Sequence, residues 1–237
     1  MSDVLFVIFN NKNSYEDLDI VMEDRPVIPS PLKNVIETVV EGRNGSLLED
    51  LNTYQNIEIP IIFSLADSEN LHARARQIKQ WLIGTFIDNK LTFDDDLDYF
   101  YKVKYVKLDN LERELETIGR VTATFVCEPF CYSKEGLQTV ILTKAGSLFN
   151  DGHISIPIIK LHGSGNITLN INGTVIILTG VDGYITIDSN MMDAYKDTTP
   201  KNSAMNGDFP ILIEGKNNIS WTGTVTKIEI LPNWCYL

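Results

Sequence analysis

The chain has 237 residues, of which 43% are hydrophobic and 9% aromatic, so it can form a packed core without help from disulfides or metal. Its 20 Lys and Arg against 32 Asp and Glu give a formal net charge of −12, which repels phosphate backbones and anionic lipid headgroups. Nucleic acid and membranes are therefore not expected as binding partners, and no apolar run approaches the ~18 residues that a membrane-spanning helix requires.

The N-terminus and the cysteines indicate the compartment of synthesis. The first residues include an apolar patch but neither a basic start nor a small-residue cleavage site, so we expect no signal peptide and synthesis in a cytoplasm. Cys127, Cys131 and Cys235 are odd in number and form no CxxC pair. We expect all three to be reduced, partly buried thiols.

The first clear element is a strand. Ile57, Ile59, Ile61 and Phe63 occupy alternate positions, and this period of two predicts a half-buried strand. Pro60 has no amide donor, so we expect that position to lie at a sheet edge or a bulge.

A helix at about 68–84 follows, because the apolar period changes from two to that of a helix. Its apolar face is predicted to contain Leu71, Ala75, Ile78, Trp81 and Leu82. Asp67 or Ser68 is expected to be the N-cap, and Gly84 to end the helix. We expect this face to pack against an N-terminal sheet.

Two more strands are predicted after the helix. In the first, Tyr99, Tyr101, Val103 and Tyr105 share one face; in the second, Val121, Ala123, Phe125 and Cys127 do so. The run of Asp94, Asp95, Asp96 and Asp98 precedes the first of these strands and is expected to form a solvated turn.

The strand pattern lapses between Pro129 and Gly152, where turn residues accumulate, so we expect a domain boundary there. The N-terminal domain is predicted to span 1–135 and the C-terminal domain 136–237. Seven short strands are predicted in the second domain: Ile154–Leu161, Ile167–Ile171, Val175–Thr179, Tyr184–Ile187, Ile211–Glu214, Ile219–Thr222 and Val225–Leu231. Asn172-Gly173 is the clearest hairpin turn, because both residues accept a positive φ.

These elements predict a mainly β protein. The N-terminal domain is expected to be β-sandwich-like with one α-helix, and the C-terminal domain a β-sandwich.

No constellation of residues in the sequence predicts an enzyme, a metal site or a cofactor site. His72, His153 and His162 lack a second ligand at suitable spacing on the same element, and the aspartate run lacks the spacing of a calcium loop. Gly163-Ser164-Gly165 is interpreted as a turn between two strands, because a GxSxG nucleophile elbow requires a strand followed by a helix.

Aromatic residues of the C-terminal domain leave a sugar-binding alternative open. Trp221 and Trp234 are candidates for stacking on a pyranose ring, together with Tyr184, Tyr195 and Tyr236. Trp221 lies in the middle of a predicted strand, which favours a core position instead.

Several blocks occur in an order that resembles the distal tail (Dit) protein family of long-tailed phages, from about Phe9 to Trp234. In the N-terminal domain the blocks are Gly42-Arg-Asn-Gly-Ser-Leu, the Ile57–Phe63 strand, the helix ending in Trp81-Leu82, Lys90-Leu-Thr-Phe-Asp-Asp-Asp, Tyr99-Phe-Tyr and Phe125-Val-Cys-Glu-Pro-Phe. In the C-terminal domain they are Asn150-Asp-Gly, Gly163-Ser-Gly-Asn, Ile171-Asn-Gly, Ile187-Asp-Ser, Gly207-Asp-Phe-Pro, Glu214-Gly-Lys-Asn and Pro232-Asn-Trp. Asn44 stands where an aspartate is common in the family.

This resemblance implies a structural, non-enzymatic protein of the virion tail tip. It implies a hexameric ring at the distal end of the tail tube, with the tube protein, the tape measure protein and tip or baseplate hub proteins as partners. DNA would pass through the channel without specific binding. The C-terminal domain would be galectin-like. An infectious phage, a prophage and a tail-like bacteriocin all remain open, as does the alternative of a carbohydrate-binding or adhesion module that contacts the host surface.

The segment around Pro29–Asn52 is expected to reach a neighbouring subunit. The candidate interface residues are Val35, Ile36, Val39, Val40 and Arg43. If this segment projects as an arm, a single chain can hardly bury its apolar residues. The alternative is that Val35–Val40 is another core strand.

Overall fold

A computed structural model describes residues 4–65, 71–108 and 119–237. The chain divides into two compact units, Met1–Cys131 with Leu237 and Tyr132–Tyr236. The division falls between Cys131 and Tyr132, inside the range where the strand pattern lapses. Independent folding of the two units remains a prediction, which the release of a stable C-terminal fragment by limited proteolysis would test.

In its described residues, the first unit is a β-sheet with one helix. Its strands are β1 (Val7–Phe9), β2 (Lys12–Asn13), β3 (Ile20–Met22), β4 (Lys33–Val39), β5 (Ser46–Tyr54), β6 (Ile57–Leu65), β7 (Lys90–Phe93), β8 (Asp96–Leu108) and β9 (Arg120–Ser133), whose last two residues belong to the second unit. The main sheet has the strand order β2-β1-β7-β8-β9-β6-β3, and β4 and β5 form a separate two-stranded sheet.

Strand β6 follows the predicted alternation. Ile57, Ile59, Ile61 and Phe63 are buried, and they pair in register with β9. Strand β3 pairs with β6 only at Phe63–Leu65, so Pro60 has a strand partner on one side alone. Its missing amide donor therefore costs no ladder hydrogen bond, as expected for an edge position.

Helix α1 (Leu71–Ile83) buries Ala75, Ile78, Trp81 and Leu82, as predicted, whereas Leu71 is only half-buried. The proposed N-caps Asp67 and Ser68 lie outside the described residues. At the other end, the Gly84 N–H donates to the Gln80 carbonyl at 3.1 Å, and the helix ends one residue before Gly84.

Strand β8 departs from the predicted alternation. Phe100, Val103 and Val106 are buried. Tyr105, which was predicted to share a face with Val103, is exposed. Exposed neighbours at both Lys104 and Tyr105 interrupt the period of two, so the buried face changes along the strand.

The second unit is all β apart from two short 3-10 turns. Its strands are β10 (Val140–Leu142), β11 (Gly146–Asn150), β12 (Ile158–Ile171), β13 (Thr174–Asp188), β14 (Asp193–Lys196), β15 (Thr199–Pro200), β16 (Met205–Asn206), β17 (Gly215–Leu231) and β18 (Cys235–Tyr236). The order in its sheet is β10-β17-β12-β13-β14-β15, with β11 on β17 and β16 on β13.

The predicted short strands of this unit merge into three long ones. Gly163-Ser164-Gly165 lies inside β12 and is not a turn, because the strand ladder continues through it with a bulge between Gly165 and Ile167. Both halves of the long strands supply side chains to one buried cluster. The two halves therefore share a single hydrophobic core. Asn172 and Gly173 form the predicted hairpin turn, with φ of 54° and 93°.

One predicted strand, Ile211–Glu214, and the first part of another, Ile154–Leu161, do not form as predicted. Ile211–Glu214 and the first residues of Ile154–Leu161 contribute a single bridge, Ser155 to Leu212, and β12 begins only at Ile158. Pro157 and Pro210 lack amide donors, which explains why no longer ladder forms there.

Replacing Gly163 with alanine should lower the free energy of unfolding by about 1–3 kcal/mol, the usual cost of overpacking. An added Cβ would overlap the carbonyl oxygen of Thr224 and lie 2.8 Å from Cδ1 of Ile167. At Gly146 the nearest atom would be 3.6 Å away, so Gly146→Ala serves as the control. Denaturant titration measures both variants, and equal losses would contradict the close approach.

Candidate functional site: an exposed hairpin arm

The residues predicted to form a subunit interface lie on the hairpin of β4 and β5, which we call the hairpin arm (residues 33–54). Nearly every residue of the hairpin arm is exposed, on both faces. The side chains of Val35, Ile36, Val39 and Val40 are 49%, 47%, 83% and 38% exposed. The hairpin arm is therefore not the core strand that the alternative interpretation required.

Each face of the hairpin arm carries both apolar and acidic side chains, because the strand register places them opposite one another. Val35 pairs with Asp50, Ile36 with Glu49, and Glu37 with Leu48. A two-stranded hairpin of this kind is marginally stable alone in water. Exposed apolar residues grouped in this way are typical of an interaction surface.

The tip of the hairpin arm turns through two glycines. Gly42 and Gly45 both have φ of 80°, a conformation that other residues adopt at a cost. Between them lies Arg43, which is exposed and whose N–H donates to the Val40 carbonyl at 3.2 Å. The candidate residue Arg43 thus lies at the outermost turn.

Contacts at its base attach the hairpin arm to the first unit. The Gln55 N–H donates to the Leu32 carbonyl at 2.8 Å, and the ring of Tyr54 packs edge-to-face on Phe130 with centroids 5.6 Å apart. Within the hairpin arm itself, the Lys33 ammonium binds the Asp50 carboxylate at 2.7 Å. This hydrogen-bonded ion pair raises the pKa of Lys33 and lowers the pKa of Asp50.

The sugar-stacking candidates are not assembled into a platform. Trp234 is only 9% exposed and belongs to the core of the second unit, so its ring faces are covered by protein. Trp221 packs against the same core and is partly buried. Tyr184 is half-buried, but the Lys160 ammonium lies over its ring, 4.1 Å from the centroid, and so covers one ring face. This geometry corrects the suggestion that Trp234 could stack on a sugar.

One charged contact was missed by sequence reasoning, which treated His162 as isolated. Neighbouring strands place Nε2 of His162 3.1 Å from Oε2 of Glu229, and Lys227 binds the same carboxylate. Hydrogen bonds from Lys227 and His162 lower the pKa of Glu229 to about 2. Strand register brings these residues together, and no sequence spacing could have shown it.

Asp94 and Asp95 form the turn between β7 and β8, whereas Asp96 and Asp98, which were expected in the same turn, lie in β8. The Asp95 carboxylate pairs with Arg25 at 2.8 Å. Within residues 4–65, 71–108 and 119–237, no three His, Cys, Asp or Glu side chains are grouped as metal ligands would be. In the same ranges no helix is long and apolar enough to cross a membrane.

The cysteines should react slowly in the native protein. Burial raises the pKa of the Cys127 thiol to about 12 and also raises that of half-buried Cys131. The buried Cys235 thiol contacts the Ile154 carbonyl at 3.4 Å. Because the thiolate is the reactive form, we expect slow labelling by Ellman's reagent at neutral pH and full labelling after unfolding. A rapidly reacting thiol in native protein would contradict this.

Comparison with known proteins agrees with the tail resemblance. Residues 19–127 match the family model of the phage tail protein RIFT-related domain. No curated protein matches the chain. Among solved structures, the chain is similar to the Dit protein of SPP1, described as a paradigm of the hub adsorption apparatus in phages that infect Gram-positive bacteria. The TM-score is 0.65 at 12% identity, covering 99% of this chain and 100% of that one.

The match to the phage tail domain lies within the first unit of the chain. The matched tail domain and the fold that the whole chain shares with the SPP1 Dit protein agree with the resemblance to the distal tail family.

Proposed function

We propose that this chain forms a closed ring of six copies at the distal end of the tail tube, joining the tube to the tip or baseplate around the DNA channel. The proposal is carried by the hairpin arm, which lies within the matched phage tail domain. The hairpin arm exposes apolar side chains on both of its faces. A head-to-tail contact that closes by rotation produces a ring with a central hole.

The proposed partners are the tail tube protein, the tape measure protein and the hub proteins of the tip. The net charge of −12 supports a conduit role, because an acidic lining would not retain the phosphate backbone of a passing genome. The proposed location is the virion tail tip, and the proposed role involves no catalysis and no cofactor. Among the described residues, the positions of Trp221, Trp234 and Tyr184 do not favour the alternative of a sugar-binding module.

Electron microscopy of tail particles tests the proposal. We expect density for this chain in a ring around the channel, directly below the tube. Particles in which the chain lies outside any such ring would overturn the proposal, even if the purified protein forms oligomers.

A further inference from the structure

Two short extended segments of the second unit present four isoleucines to solvent. Ser155 and Leu212 are fully buried and exchange both backbone hydrogen bonds, each at 2.9 Å. Side chains alternate in direction along an extended backbone, so the residues on either side of this pair face the opposite way. The exposed fraction of each lies between 40% and 44%. We call these residues the isoleucine patch: Ile154, Ile156, Ile211 and Ile213.

The isoleucine patch is one contiguous surface, because the antiparallel bridge places Ile154 opposite Ile213 and Ile156 opposite Ile211. Single exposed apolar residues are normal on a soluble protein and need no partner. A contiguous apolar group with polar residues at its rim is instead typical of a surface that binds another molecule.

A turn with two exposed methionines lies beside the isoleucine patch. The Ser189 N–H donates to the carbonyl of Pro157, the residue that directly follows the patch in sequence, at 3.2 Å. The Asp188 carboxylate accepts the Met191 N–H at 3.0 Å and so fixes the turn. Met191 and Met192 are 67% and 70% exposed. Because methionine side chains adapt to the surface they meet, this turn extends the apolar area that a partner could contact.

The charges around the isoleucine patch are mainly acidic. Asp208 and Glu214 flank its second segment in sequence, Asp151 precedes its first, and all three are exposed. Asp151 accepts the Tyr236 hydroxyl at 2.7 Å, but among the described residues no ion pair engages any of the three carboxylates. Lys216 is the nearest basic residue in sequence. A partner with basic side chains next to apolar ones would therefore complement this surface.

We propose that the isoleucine patch binds a segment of a different tail protein, which packs apolar side chains on the four isoleucines and places lysine or arginine beside the acidic rim. A second copy is disfavoured as the occupant, since a self-contact would bring two acidic rims together. This inference rests on the proposed place of the chain in a phage tail. It does not depend on the hairpin arm, which belongs to the first unit.

Photo-crosslinking in assembled tail particles identifies the occupant. The photoreactive amino acid p-benzoylphenylalanine replaces Ile156 in one preparation and Ile213 in another. The control position is Thr222, which is exposed on β17 opposite Thr168. From both patch positions we expect a cross-link, absent from the control, to a segment of another polypeptide that contains apolar residues together with Lys or Arg. Cross-links to further copies of this chain alone, or no excess over the control, would overturn the proposal.

A synthetic peptide with the cross-linked sequence then measures the contact in solution by fluorescence anisotropy. Ile154→Asp with Ile213→Asp, and separately Asp208→Lys with Glu214→Lys, should each raise the Kd at least about tenfold. The matched control, Val175→Asp with Ile177→Asp, changes two residues of similar exposure in the same unit and should leave the Kd unchanged. Calorimetry checks that every variant is folded. Equal Kd values for the control and both patch variants would contradict the proposed contact.

Tail particles separate a failure of this inference from a failure of the proposed function. Particles with Ile154→Asp and Ile213→Asp should retain this chain but lose the cross-linked protein. If these particles lose the chain itself, the isoleucine patch belongs to the contact between copies and the inference fails. If particles without substitutions hold the chain outside any ring, the proposed function fails, whereas the cross-link from the patch is still obtained.

Discussion

Replacing Trp81 with alanine should lower the free energy of unfolding by about 3–5 kcal/mol, the range for truncating a large core aromatic residue. Trp81 is 2% exposed, and its ring packs edge-to-face on Phe9 and Phe63 with centroids 6.0 and 5.9 Å apart. Its Nε1–H donates to the Phe9 carbonyl at 2.8 Å. The substitution removes the packing, leaves a cavity and strands this buried acceptor.

Two controls separate these contributions. Trp81→Phe retains most of the packing but loses the hydrogen bond, so we expect a smaller loss of about 1–3 kcal/mol. Lys79→Ala on the exposed face of the helix should change stability by less than about 0.5 kcal/mol. Denaturant titration gives the free energies, and hydrogen exchange should assign the loss to the first unit. A native-like stability for Trp81→Ala would show that the helix does not depend on this contact.

If the chain assembles as the proposed ring, replacing Val35 and Val39 together with aspartate should convert that ring to folded monomers. Both side chains are exposed within one copy, at 49% and 83%, so the charges are solvated and the monomer keeps its stability to within about 1 kcal/mol. In the assembled ring the same positions are proposed to be covered, and a buried unpaired carboxylate is costly. Light scattering coupled to size-exclusion chromatography measures the mass, and calorimetry measures the melting temperature.

The matched control changes two exposed apolar residues elsewhere. Val175 and Ile177 on β13 are 47% and 42% exposed, so Val175→Asp with Ile177→Asp adds the same charge to a comparable strand surface. We expect this control to assemble normally. If the hairpin variant instead unfolds and keeps no folded monomer, the hairpin arm supports the core of its own subunit and the proposed interface role fails.

Local periodicity was sufficient to predict those elements of the first unit that bury a single face. The burial of Ile57, Ile59, Ile61 and Phe63 and of the apolar face of α1 followed from spacing alone, because a strand or helix buries one face whatever it packs against. The same holds for Asn172-Gly173, where the turn type demands positive φ at both positions.

Tertiary structure decided the features that depend on partners distant in sequence. Gly163-Ser164-Gly165 resembles a turn, yet it continues a strand because β13 and β17 supply hydrogen-bonding partners on both sides. The pairing of His162 with Glu229 depends on strand register, which spacing along the chain does not encode. For Val35–Val39, the apolar sequence fits a core strand and a projecting arm equally well. Only the three-dimensional arrangement, in which β4 and β5 form a two-stranded sheet among the described residues, leaves both faces of that hairpin exposed.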